Sequence, residues 1–139
     1  MATLIDIANA VTAGLNRANL QPHFTAVMSL LPEFELKELK TLRVTVVPRA
    51  LKTAIQNRES SGREVTIDIG VQQKTTDEAR LAELLQLSEN IIEVFDRKRL
   101  ADYQQAICVK AENDPVYDPG HLREFRQFTS VITLKFKVL

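Results

Sequence analysis

Residues 112–139 read ENDPVYDPGHLREFRQFTSVITLKFKVL, a proline-punctuated loop, a short turn and the longest alternating stretch in the chain. From Arg126 on, Phe128, Ser130, Ile132, Leu134, Phe136 and Val138 fall on one side. Gln127, Thr129, Val131, Thr133, Lys135 and Lys137 fall on the other. A period of two with one apolar side predicts a half-buried strand. Its length makes it a central one, so the rest of the chain is expected to pair beside it or pack over it. Asn113–His121 is different. Its two prolines fix φ and disfavour helix in the residues before them, which predicts a stiff loop displaying an exposed Tyr117.

Upstream, residues 3–19 predict a helix with an apolar stripe of Leu4, Ala8, Val11 and Leu15, ended by Asn19 and Pro22. Residues 23–31 alternate loosely as a strand, and residues 33–40 read as a turn or loop. Residues 42–49 (LRVTVVPR) alternate more clearly, with Pro48 marking a strand end or an edge. Residues 50–62 read as an exposed loop whose first half has the option of a helical turn. Residues 63–73 (REVTIDIGVQQ) form the next strand, with Gly70 as a candidate bulge. These two strands are expected to pair as an antiparallel hairpin.

Residues 77–99 are the clearest helix. Leu81, Leu84, Leu85, Ile91, Ile92 and Phe95 share a face with Ser88, acids lie toward the start, and Arg97, Lys98 and Arg99 close it. Residues 106–112 make a further strand, and residues 122–124 have room for one turn. The fold class expected is α+β: a single domain over 1–139, with a mainly antiparallel or mixed sheet of four to five strands packed against two helices.

The 139 residues carry 18 basic and 18 acidic side chains, so the formal charge is zero. A dedicated nucleic-acid binder normally shows a basic excess, whereas a neutral chain suits a protein that lets DNA pass without gripping it. The single cysteine, Cys108, excludes an intrachain disulfide and a multi-cysteine metal site, and fits a reducing compartment. The N-terminus lacks the basic region of a signal peptide, and no apolar run has the length of a membrane span.

Signals for catalysis are weak. His23 and His121 are far apart in sequence, Cys108 reads as a core side chain, and Ser60 and Ser61 sit in no nucleophile elbow. The acids Glu112, Asp114, Asp118 and Glu124 cluster near the last loop but do not match a calcium-binding spacing. The two Glu-Leu-Lys triplets of residues 35–40, with Asp68, resemble the carboxylate and lysine set of metal-dependent nucleases. They lie off any strand, and solvated charge is the simpler reading. No catalytic residue, metal or cofactor is expected.

At LRVTVVPR, VTIDIGVQ and ENDPVYDPGHLREFRQFTSVITLKF the sequence resembles a family of small tailed-bacteriophage proteins encoded among the head–tail joining genes. These are the tail-terminator, tail-completion or neck proteins, and the likeness runs in order along most of the chain. The resemblance implies a non-enzymatic virion structural protein that assembles as a ring, typically a hexamer, on the tail tube. The implied partners are other copies of itself, the tail tube protein and the head–tail connector or stopper, with DNA as passing cargo and no membrane. The implied place is the tail or neck of the virion, assembled in the host cytoplasm. Two alternatives are a small metal-dependent nuclease and a monomeric virion-assembly adaptor. Because arginine and tyrosine commonly anchor interfaces, the candidate contact residues are Arg49, Arg58, Arg63, Tyr117, His121, Arg123 and Arg126.

Overall fold

A computed structural model describes residues 3–30, 41–55, 61–75 and 77–138. In chain order it holds α1 (Thr3–Arg17), β1 (Ala26–Met28), β2 (Arg43–Ile55), β3 (Ser61–Lys74) and α2 (Glu78–Phe95). Then follow β4 (Arg99–Leu100), β5 (Tyr103–Glu112), α3 (Pro119–Phe125) and β6 (Gln127–Val138). The strands form one six-stranded sheet in the order β1-β2-β3-β6-β5-β4. β1 runs parallel to β2 and every other neighbour is antiparallel, so the sheet is mixed. The class is α+β, as expected, but with six strands and three helices among the described residues.

The alternation of residues 126–138 becomes β6, which lies between β3 and β5. Its apolar side, Phe128, Ile132, Leu134 and Phe136, is at most 1% exposed. Opposite it on β3 are Val65, Ile67, Ile69 and Val71, all fully buried. α2 packs on β5 and β6 through Leu84, Leu87, Ser88, Ile91 and Phe95, with Leu81, Leu85 and Ile92 at the margin of the core. Each large side chain so withdrawn from water contributes about 1.5–3 kcal/mol. The Ser88 hydroxyl, buried on that face, donates to the Leu84 carbonyl at 3.1 Å, so its polarity is answered within the helix.

α1 touches β1 and β2 at one end of the strand order and β4 and β5 at the other. The sheet therefore curls around it. Ile7, Ala8, Ala10, Val11 and Leu15 form the buried stripe. Gly14 permits the close approach to α2: a Cβ there would come to 3.2 Å from the Phe95 ring. The Arg17–Asp102 ion pair joins the far end of α1 to the turn between β4 and β5.

Several sequence expectations are corrected. The strand expected over 23–31 shrinks to the three residues of β1. Its Ala26 is tied instead by the Asn16 side chain, which accepts from the Ala26 amide (2.8 Å) and donates to its carbonyl (3.2 Å). Pro48 does not end a strand: β2 runs on to Ile55, and β3 starts at Ser61. Much of the loop expected over 50–62 is thus ladder. Val46 turns its carbonyl to Ser29 on the β1 side (2.8 Å). Pro48 has the same parity, so its missing N–H falls on the open edge rather than in the β3 ladder. A register shift follows at Arg49. Gly70 lies in unbroken register between Thr45 and Val131, and the bulges sit at 48–50 and 108–110 instead.

The 77–99 helix stops at Phe95. Asp77 caps its start by accepting from the Ala79 amide (3.1 Å). Arg97 then takes a left-handed φ of 60°. The Arg97 amide donates to the Cys108 carbonyl, and the Cys108 amide donates to the Lys98 carbonyl. The basic run expected to close the helix is therefore spent on pairing with β5. The residues expected as a turn or loop over 33–40, including both Glu-Leu-Lys triplets, lie outside the described residues.

Candidate interface surfaces

The segment from Asn113 to Arg126 has no strand partner and is held by side chains. Asn113 Nδ2 donates to Ser130 Oγ (2.8 Å) and to the Val131 carbonyl (2.9 Å). The Asp118 amide donates to the Thr129 carbonyl at 2.8 Å. The Tyr117 ring rests on Phe128, centroids 6.1 Å apart and planes tilted by 35°. Tyr117 is therefore half-buried against the core and not the exposed display expected of it. The reason is non-local: β6 brings Phe128 up beneath a loop eleven positions earlier in the chain.

α3 then carries the chain to the other face of β6. Asp118 Oδ1 caps it by accepting from the His121 amide (3.1 Å). His121 Nδ1 lies 3.0 Å from Thr129 Oγ1 and its Nε2 3.5 Å from Asp118 Oδ2, so the ring is a clasp between α3 and β6. Arg126, at a left-handed φ of 53°, turns the chain into β6, and its carbonyl accepts from the Thr75 amide. The side chains of Arg123 and Arg126 are exposed.

The arginines of the other end lie on β2 and β3. Arg49, exposed at the bulge, approaches Asp68 at 3.6 Å. Asp68 also accepts from Thr133 Oγ1 at 2.9 Å. Arg63 reaches Thr3 Oγ1 at the start of α1 (3.0 Å). Arg58 lies outside the described residues. The structure thus gathers Tyr117, His121, Arg123 and Arg126 at the α3 end, and sets Arg49 and Arg63 apart on the hairpin.

Sequence reasoning passed over a set of exposed apolar side chains: Val27 (59%), Leu51 (47%), Val109 (50%) and Val116 (49%). Leu51 was legible in principle, since the alternation of residues 42–47 resumes beyond Pro48. Val109 had no such signal, because its exposure comes from the bulge between Cys108 and Lys110. Leu85, Glu89, Ile92, Asn113 and Val116 line a cleft of about 410 Å³ between α2 and the 113–118 segment.

Two of the acids near the last loop have local employment. Asp118 caps α3, and Glu112 pairs with Lys110 at 2.6 Å. That partner lowers the Glu112 pKa and raises that of Lys110. Among the described residues no three histidine, cysteine, aspartate or glutamate side chains converge as a metal site. Cys108 is fully buried, and burial pushes its thiol pKa up to about 11. No helix among the described residues is long and apolar enough to cross a membrane.

No family model and no curated protein matches the sequence. One solved structure shares the fold, and a second is a looser match. A protein known only by a sequence identifier superposes with a TM-score of 0.57 at 15% identity, over 100% of this chain and 96% of that one. The sheath/tube terminator of the extracellular contractile injection system PVC, in its extended state, gives a TM-score of 0.49 at 15% identity. That match covers 97% of this chain and 56% of the terminator. The first likeness is one of fold, and the second is looser.

Proposed function

We propose that this chain is a non-catalytic structural subunit of a tailed phage or a phage-tail-like particle. In this reading it assembles as a ring, hexameric by family resemblance, that caps the tail tube and joins it to the head connector while DNA passes through. It would reside in the neck of the virion after assembly in the host cytoplasm. The support is the ordered sequence resemblance from LRVTVVPR to the 113–137 segment. The structural observation that carries it is the separation of the candidate contact residues. Arg49 and Arg63 lie on the β2–β3 hairpin, whereas Arg123 and Arg126 lie at the α3 end of β6. A ring subunit must meet two neighbours through two different surfaces, and these are two.

The test is assembly. Purified protein is expected to form rings visible by light scattering and negative-stain microscopy, or to form them when tail tube is added. A chain that stays monomeric with and without tube, and that cleaves DNA in a Mg²⁺-dependent way lost in Asp68→Ala, would move the assignment to the nuclease alternative. A monomer that co-purifies with one virion protein and cleaves nothing would be an adaptor.

A further inference from the structure

The two faces of the sheet differ in what they carry. One holds the core under α1 and α2. On the other, α3 packs against β6 near Thr129, and the opposite ends of the strands present charged side chains. Register sets these abreast. Lys52, Glu64 and Lys137 form one row across β2, β3 and β6. Thr66, Lys135 and Lys110 form the next, across β3, β6 and β5. Asp68, Thr133 and Glu112 form the third, and Arg49 joins this face from the bulge by reaching Asp68.

In these rows five cations face three acids. Two of the acids are taken: Asp68 holds Arg49 at 3.6 Å, and Glu112 holds Lys110 at 2.6 Å. Among the described residues, Lys52, Lys135 and Lys137 make no ion pair. Glu64 stands between Lys52 and Lys137, one carboxylate for two ammonium groups. Lys135 is directly opposite Lys110, a like-charge pairing that works against the sheet itself. Lys52 and Lys137 are exposed, and Lys135 is half-buried. α2, on the core side, shows water four glutamates and one arginine. The zero net charge of the chain thus conceals a division between an acidic α2 surface and a basic sheet face.

We infer that this sheet face meets the phosphate backbone of double-stranded DNA through Lys52, Lys135 and Lys137. The inference rests on the reading above only for DNA being the polyanion at hand, and it names the surface that DNA passes. Protein–protein interfaces are depleted of lysine and built on aromatic anchors. These rows are rich in lysine and hold no aromatic ring, which is the composition of phosphate contact. Without rings, single-stranded bases have nothing to stack on, so the duplex is the better fit. Lys135 and Lys137 lie about 6.6 Å apart along β6, and Lys52 lies two strands, about 10 Å, from Lys137. A duplex carries a charge about every 1.7 Å of its axis, so all three lysines find phosphates at once. Three contacts on a neutral chain make a weak hold that salt dissolves, which suits DNA that must keep moving.

The experiment is a salt titration of the full chain on a labelled random-sequence duplex, read by fluorescence anisotropy. Binding at low salt is expected, with log K falling against log salt at about −0.9 per contact, hence about −3. Lys135→Gln/Lys137→Gln should weaken low-salt binding about tenfold or more and bring the slope to about −1. Its melting temperature should hold or rise, because the opposition to Lys110 is relieved. Lys135→Arg/Lys137→Arg should keep both affinity and slope. Lys98→Gln/Arg123→Gln removes the same charge from exposed positions outside this face and should bind as the parent does. Equal losses in the two glutamine pairs would make net charge the cause and overturn the inference. Failure to bind at low salt would also overturn it. So would a Lys135→Gln/Lys137→Gln chain that binds DNA unchanged but no longer assembles, since the face would then be a protein contact. Ring assembly is scored separately. A monomer with the expected slope keeps this inference and removes the ring, and rings that ignore DNA do the reverse.

Discussion

The β3–β6 ladder and the segment from Asn113 to Arg126 touch each other, yet they are held by different means. Every residue of β3 from Arg63 to Lys74 has a partner on β6, with no shift of register. The helix-facing side chains of both strands are closed off from water. The segment hangs on a few side-chain bonds, those of Asn113, Asp118 and His121, and on one ring contact. The ladder distributes its stability over many contacts and can be lost only together. The segment can be released one bond at a time. A protomer of the proposed ring, keeping its shape while adapting its rim to neighbours, would need both kinds of holding.

The largest effect should come from the ladder. Leu134 is fully buried between strands and helix, so Leu134→Ala should cost about 2–5 kcal/mol, from lost burial and the cavity left behind. Urea denaturation should show the loss as one cooperative transition, with α2 and the sheet melting together. Separate transitions for helix and sheet would break the view of a single core.

Cys108, on β5 opposite Phe136, tests the same core by titration. Its folded pKa of about 11 lies above the ordinary value of 9.0 because burial disfavours the thiolate. The contribution to stability is complete below pH 9 and is lost as pH rises through 9 to 11. The loss reaches about 2–3 kcal/mol at the top of that window. Cys108→Ala should remove this part of the alkaline slope while lowering stability at neutral pH by a constant amount. A pH profile unchanged in slope would show that the thiol is not sealed.

Asn113 measures the other side of the comparison. Asn113→Ala removes two hydrogen bonds to β6 and should cost about 1–2 kcal/mol. The loss should be local: hydrogen exchange should quicken over 113–126 while the amides of 128–136 stay protected. If those ladder amides also lose protection, the segment is part of the core and the contrast fails.

The two regions were also unequally legible. The period-two pattern of residues 63–73 and 126–138 carries β3 and β6 in plain view, because each face of a strand must meet one environment. The second half of β2 was hidden by Pro48, which reads as a stop unless one knows that its N–H side faces an open edge. The end of α2 was hidden by Arg97, Lys98 and Arg99. Those charges suit a helix C-terminus, but pairing with Cys108, a contact between remote stretches, decides the matter. Tyr117 was misread for the same reason: nothing near it in sequence announces Phe128. Of the candidate contact residues, Arg49, Arg123 and Arg126 are exposed as a docking role requires, whereas His121 and Tyr117 hold the segment in place.

Arg123 gives the smallest effect on folding and the sharpest reading of the segment. It is exposed in the last turn of α3. Arg123→Ala should therefore change stability by no more than about 0.5 kcal/mol. Tyr117→Ala, which strips the ring from Phe128, should cost about 1–3 kcal/mol and free the segment. If the α3 end docks a neighbour or the connector, Arg123→Ala should weaken assembly without altering the melting temperature. Tyr117→Ala should weaken it only in proportion to the loosened segment. Tyr117→Phe keeps the ring and should restore stability and assembly together. Should Arg123→Ala leave rings and connector binding intact while Tyr117→Ala abolishes them, the segment would act through its shape rather than its charge, and the docking residue would be sought at the exposed Val116 beside the cleft.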